Sequence, residues 1–376
     1  MIKKLSATLI FFIIFFGFFF RYSEDFTLFS PAKAAIGLSI ILICVTKTDF
    51  WTVLSKPTIN YILFLLLIFS SALLTLDSSV IEFYFFEVVA IFVIYISGNI
   101  TSYKKIDFFN LILIASIVVG ILGVKDLIDN PVNSFRRFAL FGGYNYSASN
   151  FAIATTIALY KYFQKRSSLY IILVVILFSL TIIQGSRQAI AGLFLVALFL
   201  FYNRKKKLVL KLLLGFGILG VIGSIYLVQF GDITFYERFS SSHITETIEK
   251  RTGIWREAIS GNVSIFSILF GNAETNTLIE TKFVNVNLFN PHNLFLSTYK
   301  YHGVLATISI FLLISEVFIN NRISLISKIL FFLALFYLQF SGELTRSFHF
   351  IFILGYCHGN IYNNIQSVRG KRAKCK

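Results

Sequence analysis

An all-helical, polytopic integral membrane protein with about twelve transmembrane helices is the fold class the sequence predicts. Three observations carry that prediction. Hydrophobic residues make up 56% of the 376 positions and charged residues only 14%, whereas a soluble domain carries about 25% charged residues. The mean hydropathy is +0.77. Forty-five Phe stand against four Pro, a balance that suits long helices in lipid. These features argue against a soluble globular protein, a disordered chain and a secreted disulfide scaffold. The three Cys agree: Cys44 and Cys357 lie inside apolar stretches and Cys375 lies in the tail, too few and too badly placed for a disulfide framework.

A helix needs about 20 mostly apolar residues to cross the hydrocarbon of a bilayer. Candidate segments run over residues 5–20, 32–46, 59–76, 80–98, 106–124, 139–163, 168–183, 188–202, 208–230, 294–319, 323–340 and 347–362. They are apolar all round, unlike the alternating strands of a membrane barrel. The second is short enough to be re-entrant instead. The first has a basic start but no small-residue cleavage site after Phe20, so it reads as a retained anchor rather than a signal peptide. The whole chain reads as one multi-pass domain, and no internal repeat at a fixed period is visible.

The net charge of +16 invites a nucleic-acid reading, but its distribution fits membrane topology. With both termini in the cytoplasm and the spans alternating, most Lys and Arg fall on the cytoplasmic side. These include Lys3, Lys4, Lys104, Lys105, Lys165, Arg166, Arg322 and the run 204–207. Only Asp49, Asp107 and Glu316 oppose them there. That is the positive-inside pattern, with contact to anionic lipid. No base-stacking or groove-binding module accompanies it, so nucleic acid is not an expected partner.

One connection is far longer than the rest. Residues 231–290 separate the ninth and tenth segments on the extracytoplasmic side. Long connections in compact chains are usually functional or disordered, and this one is too rich in Trp255, Phe266, Phe270, Phe283 and Phe289 for disorder. Within it, residues 246–259 read as a partly amphipathic helix near the surface. The loop is expected to fold over the membrane mouth.

Basic residues on the outer side run against the orientation rule and are the candidate site. Arg136 and Arg137 precede the pair Gly142-Gly143, whose backbone N–H groups can approach an anion. Arg187 sits in the tight turn Gln184-Gly185-Ser186-Arg187-Gln188, at the start of a helix whose dipole favours anions. Arg251 and Arg256 lie in the long loop, five residues apart and so on different helix faces. His292 lies in Asn290-Pro291-His292-Asn293, where an imidazole can act as general base near neutral pH. For each of these the plain alternative is an interfacial anchor or a solvated charge. Glu82 and Glu87 are acids in the outer half of the fourth segment, candidates for pairing with the outer arginines. His243, His302, His349 and His358 read as structural or unassigned.

The sequence offers no His/Cys cluster at zinc spacing, no phosphate-binding loop and no serine elbow, so no metal and no cofactor is expected. Several guanidinium groups and one imidazole on a single face suit an anionic, membrane-bound substrate. A lipid pyrophosphate fits, since guanidinium forks pair with phosphate oxygens. If it carries a sugar, pyrophosphate is a leaving group that fixed positive charge can stabilise, and one His can activate the acceptor hydroxyl.

Several stretches resemble one family. Pro291-His292-Asn293, then nine residues, then Gly303, is similar to the H-[NSQ]-x9-G-x-x-[GTY] signature of the O-antigen polymerase and O-antigen ligase superfamily, with Ala306 at the last position. Gly185-Ser186-Arg187 resembles its Ser/Thr-Arg turn. Arg251-Thr252-Gly253-Ile254-Trp255 resembles its R-x-x-x-W/Y element. Arg137 followed by Phe141-Gly142-Gly143-Tyr144-Asn145 looks like a further family stretch, without the usual Asn-Pro-Asn form. The resemblance implies a bacterial inner-membrane glycosyltransferase that uses an undecaprenyl-pyrophosphate-linked glycan on the outer face. By that resemblance Arg187 and Arg251 hold the pyrophosphate and His292 serves the acceptor. Arg136, Arg137, Asn145, Arg256 and Asn293 are the further substrate-binding candidates. A polymerase of O-antigen or capsule repeats is the expected activity, with a chain-length regulator and a flippase as pathway partners. Ligation of the glycan to lipid A–core is the alternative. A transporter or flippase of the same lipid-linked sugars is the rival from another class, and a structural or assembly protein is the remaining one.

Overall fold

The computed structural model describes residues 2–19, 31–46, 56–129, 144–184, 186–203, 241–260, 264–273, 293–341 and 347–374. These residues are helical with short connections, and no strand occurs among them. In chain order the helices are α1 (Ile2–Phe19), α2 (Pro31–Thr46), α3 (Lys56–Leu73), α4 (Ser78–Tyr103), α5 (Phe108–Asp129), α6 (Tyr144–Lys165) and α7 (Ser168–Ile183). They continue as α8 (Arg187–Asn203), α9 (Ser241–Ser260), α10 (Ile265–Phe270), α11 (Leu294–Ile319), α12 (Leu325–Ser341) and α13 (Phe348–Lys374). Eleven of the twelve apolar segments read from the sequence coincide with a helix, and the remaining one, residues 208–230, lies outside the described residues. The helix expected at 246–259 is present as part of α9.

By length and apolar composition, Ile2–Phe19, Ser78–Tyr103, Phe108–Lys125 and Leu294–Ile319 are sufficient to cross a membrane. Several other helices are apolar but shorter, α2, α3, α7, α8 and α12 among them. Large apolar side chains remain uncovered by protein on many of them, for example Leu66 (55% exposed), Phe86 (60%), Ile121 (64%) and Leu312 (61%). Exposed apolar area on that scale marks a surface that meets something other than water. Hydroxyl groups inside these helices are satisfied by their own helix: Ser39 donates to Ala35 O, Thr101 to Ser97 O, Thr155 to Phe151 O and Thr181 to Leu177 O, at 2.7–2.8 Å. Such back-bonding lets a Ser or Thr be buried without a distant partner.

The chain divides into two compact units. The first comprises Met1–Phe18, Tyr22–Ile112 and Arg251–Lys376; the second comprises Phe19–Arg21 and Leu113–Lys250. In the second unit α6 packs against α7 and α8. Its small buried residues, Ala148, Ala152, Ala154 and Ala158 among them, let neighbouring helices approach closely. Gly120 of α5 faces the Leu180 side chain of α7 in the same way.

In the first unit α3 and α4 form an antiparallel hairpin through residues 74–77. Asp77 caps α4 by accepting from Ser79 N at 2.8 Å and Ser79 Oγ at 2.7 Å. The Ser79 hydroxyl, then the Ser79 N–H, holds its carboxyl below the usual carboxylate range. The rings of Tyr61 and Tyr95 stack at 3.9 Å between the two helices. α13 runs parallel to α4, because Gly355 meets Tyr95, Gly359 meets Asn99 and Ser102 donates to Asn360 Oδ1 at 2.9 Å.

This α4–α13 seam depends on three glycines. A Cβ on Gly98 would collide with the backbone of Phe352, one on Gly355 with Tyr95 O, and one on Gly359 would stand 2.8 Å from Asn99 O. Gly355 and Gly359 are four residues apart, one turn along a single face, the spacing at which small residues let helices come together in lipid. Inserting a large side chain into such a contact costs about 1–3 kcal/mol or more. Gly355→Leu should therefore lower the thermal midpoint of the detergent-solubilised protein by several degrees, and Gly37→Leu, where a Cβ meets nothing within 4 Å, should not. Equal effects at both positions would contradict the packing described.

Candidate functional site

α11 is the element that organises the candidate site. Its span matches the expected tenth segment residue for residue, but it is not one straight rod. Gly303 adopts φ 76° and ψ −177°, outside the helical region. The rings of Phe295 and Phe311, eight residues to either side, stand 6.3 Å apart. Sixteen residues of straight helix would separate them by about 24 Å. The two limbs, residues 294–302 and 304–319, therefore fold toward each other at Gly303.

Both ends of the first limb have a local cause. Asn293 is the N-cap: its Oδ1 accepts from Phe295 N at 3.0 Å and Leu296 N at 3.1 Å, satisfying two of the N–H groups that a helix start leaves open. At the other end, Gly303 takes a positive φ that residues with a Cβ adopt at a cost. Gly271, just after α10, also has positive φ (78°). The two glycines sit on opposite sides of one close backbone contact. A Cβ on Gly271 would strike Tyr301 and His302 backbone, and one on Gly303 would strike Leu269 and Phe270 backbone. Asn272 N donates to Lys300 O at 2.9 Å and ties the two segments together. α10 itself is started by Ser264, whose side chain and that of Ser267 each bond the other residue's backbone N–H, at 3.0 Å.

His302, which the sequence reading left unassigned, clamps the corner to the α3–α4 hairpin. Its Nδ1 lies 2.9 Å from Ser71 Oγ, and its ring meets Tyr84 edge-on at 5.2 Å. Ser71 has one hydroxyl proton and gives it to Ile68 O at 2.6 Å, so the His302–Ser71 contact has the ring N–H donating. Nδ1 thus carries a proton, and in the neutral ring Nε2 is the acceptor. Lys300, two residues earlier on the same limb, is only 8% exposed. Neither His302 nor Lys300 stood out in the sequence, since a single polar residue in an apolar run does not reveal its partner.

The structure places the remaining candidates as follows. Arg251 and Arg256 both lie on α9; Arg251 is half-buried and Arg256 exposed. Trp255 is half-buried, and Ala258, on the same stretch, is fully buried. Arg187 is the first residue of α8 and is half-buried. Just before it, Ser186 and Gln184 are each 1% exposed, and both amide atoms of Gln184 are buried without a hydrogen-bond partner among the described residues. Asn145 lies in the first turn of α6. His292, Arg136 and Arg137 lie outside the described residues. Arg251, Arg256 and Asn293 belong to the first unit, and Arg187 and Asn145 to the second. Glu82 is exposed and Glu87 half-buried on α4. His349 and His358 are buried on α13, His349 against the Phe18 ring and His358 with Nδ1 2.8 Å from Tyr95 Oη. Among the described residues no group of three His, Cys, Asp or Glu side chains gathers to hold a metal ion.

Comparison with known proteins returns no match to a family model, to a curated protein or to a solved structure.

The cap role of Asn293 can be separated from any contact it makes to a ligand. Replacing an Asn N-cap by Ala costs about 1 kcal/mol, whereas Asp keeps an acceptor oxygen in place. Asn293→Ala should lower the thermal midpoint and Asn293→Asp should leave it near wild type. An unchanged midpoint in the Ala variant would contradict the cap.

Proposed function

We propose that the protein is a polytopic inner-membrane glycosyltransferase that polymerises undecaprenyl-pyrophosphate-linked repeat units of O-antigen or capsule. In this reading about twelve spans cross the membrane, both termini are cytoplasmic and residues 231–290 lie on the outer face. The observation that carries it is the agreement between the H-N-x9-G motif and one structural unit. The cap at Asn293, the nine-residue limb and the corner at Gly303 coincide with the motif's second residue, its spacer and its glycine. His292 is the motif residue that immediately precedes this cap in the sequence.

The chemistry follows from the residue types. The acceptor hydroxyl gives its proton to the His292 imidazole as its oxygen bonds the anomeric carbon. The bond from that carbon to the pyrophosphate oxygen breaks, and the electron pair leaves on the diphosphate. Arg187, aided by the α8 N-terminus, and Arg251 stabilise the charge that builds there. Arg136, Arg137, Asn145, Arg256 and Asn293 are the further substrate contacts. The same motifs serve an O-antigen ligase, which would pass the glycan to lipid A–core, and that is the second reading. A flippase ranks lower because the sequence shows no repeated halves of the kind transporters use.

His292→Ala and Arg187→Ala should each abolish long glycan chains in a strain that depends on this protein, a loss of at least about a hundredfold, while membrane levels of the protein stay normal. A normal chain-length ladder from either variant would remove that residue from the mechanism.

A further inference from the structure

Residues 258–273 belong to the long loop, yet none of them is charged. α10 lies within this stretch and leaves large apolar side chains uncovered by protein. Ile265 is 76% exposed and Phe266 67%, and Ile268 is exposed as well. The Phe266 ring stacks on that of Phe270, with centroids 6.2 Å apart. None of these residues takes part in the chemistry proposed above. Apolar side chains gathered on so short a helix mark a surface made for something other than water.

We infer that α10 is sunk into the outer leaflet of the bilayer, with Ile265 and Phe266 among the acyl chains of its lipids. The depth follows from the corner at Gly303. Because α11 breaks there, only its second limb, residues 304–319, is left to cross. That limb rises about 24 Å, against a hydrocarbon core of about 30 Å. It ends at the polar turn Asn320-Asn321-Arg322, which belongs at a membrane–water boundary. Gly303 therefore stops about 6 Å short of the opposite boundary, and any tilt takes it deeper. α3 leads to the same level. Ser71, 2.9 Å from His302 Nδ1, stands fifteen residues beyond Lys56 at the start of that helix, a rise of about 22 Å. α10 meets Gly303 backbone to backbone through Leu269 and Phe270, so it shares the depth of the corner.

The local chemistry suits hydrocarbon. A segment in lipid must satisfy its backbone polar groups from within the protein. At the start of α10, Ser264 and Ser267 bond each other's backbone N–H. At its end, Gly271 N donates to Ser267 O at 2.8 Å and Asn272 N to Lys300 O at 2.9 Å. α10 packs on α11, whose Ile308, Phe311 and Leu312 are likewise exposed. The polar side chains of the first limb, Ser297, Thr298 and His302, are buried instead, so they add no polar surface at this level. Lipid around α10 requires only that the chain sit in a bilayer, not that it transfer sugars.

The test uses the purified full-length chain in phospholipid vesicles, with Cys44, Cys357 and Cys375 replaced by Ala and a nitroxide attached at one introduced thiol. Electron paramagnetic resonance compares collisions with oxygen, which concentrates in hydrocarbon, against collisions with a water-soluble nickel chelate. Ile265→Cys and Phe266→Cys are the two probes. Leu312→Cys is the lipid reference and Asn321→Cys the aqueous one, both positions being exposed. At the probes the ratio of oxygen to nickel collisions should exceed that at Asn321 about fivefold or more. It should stay below that at Leu312, which lies about 13 Å further along the second limb. A ratio equal to that at Asn321 would put α10 in water. Loss of both kinds of collision would mean that protein covers it, from a second copy or from this chain. Either result would overturn the proposal.

Discussion

Backbone meeting backbone at glycine is the contact on which the first unit depends. Helices that lie in hydrocarbon gain little from burying apolar side chains against each other, because lipid tails are equally apolar. They gain from close approach, and a glycine is what permits it. Gly98, Gly355 and Gly359 let α4 and α13 touch along two turns, and Gly271 and Gly303 let α10 dock on the corner of α11. Once α4 and α13 are fixed, the Tyr61–Tyr95 stack and the Tyr95–His358 contact follow. The hairpin of α3 and α4 then supplies Ser71 and Tyr84 as the seat for His302.

The α11 corner shows how a short spacing in a sequence becomes a three-dimensional device. Nine residues of helix rise about 14 Å. The limb is closed at one end by the Asn293 side chain and at the other by a residue whose conformation favours glycine. The clamp by His302 adds a polar tie deep in an apolar setting, where a hydrogen bond has no water to compete with it. A rigid limb of this kind is the support a reactive side chain needs at its head, since misplacement by about 1 Å is costly in catalysis. The polymerase proposal rests on that correspondence and on the cation types of Arg187 and Arg251.

The helical class was legible because apolar runs in this chain are long and unbroken, and segments 168–183 and 294–319 match α7 and α11 at both ends. Neither the caps at Asn293 and Asp77 nor the corner at Gly303 was read from the sequence. An isolated glycine in an apolar run reads the same whether it sits in a straight helix or takes positive φ, and only its partner Gly271, thirty-two residues earlier, distinguishes the two. The partners of His302 and His358 were hidden for the same reason, because Ser71 and Tyr95 lie more than two hundred residues away along the chain. Of the candidate site, Arg251 and Arg256 lie on α9, half-buried and exposed respectively, whereas His292, Arg136 and Arg137 fall outside the described residues.

Reconstitution addresses the central claim most directly. The purified chain, placed in vesicles with lipid-linked repeat units and no other protein, should lengthen the glycan on its lipid carrier and release undecaprenyl pyrophosphate. Transfer only after lipid A–core is added would make the protein a ligase. Movement of the lipid-linked sugar across the bilayer with no new glycosidic bond would contradict the glycosyltransferase account altogether.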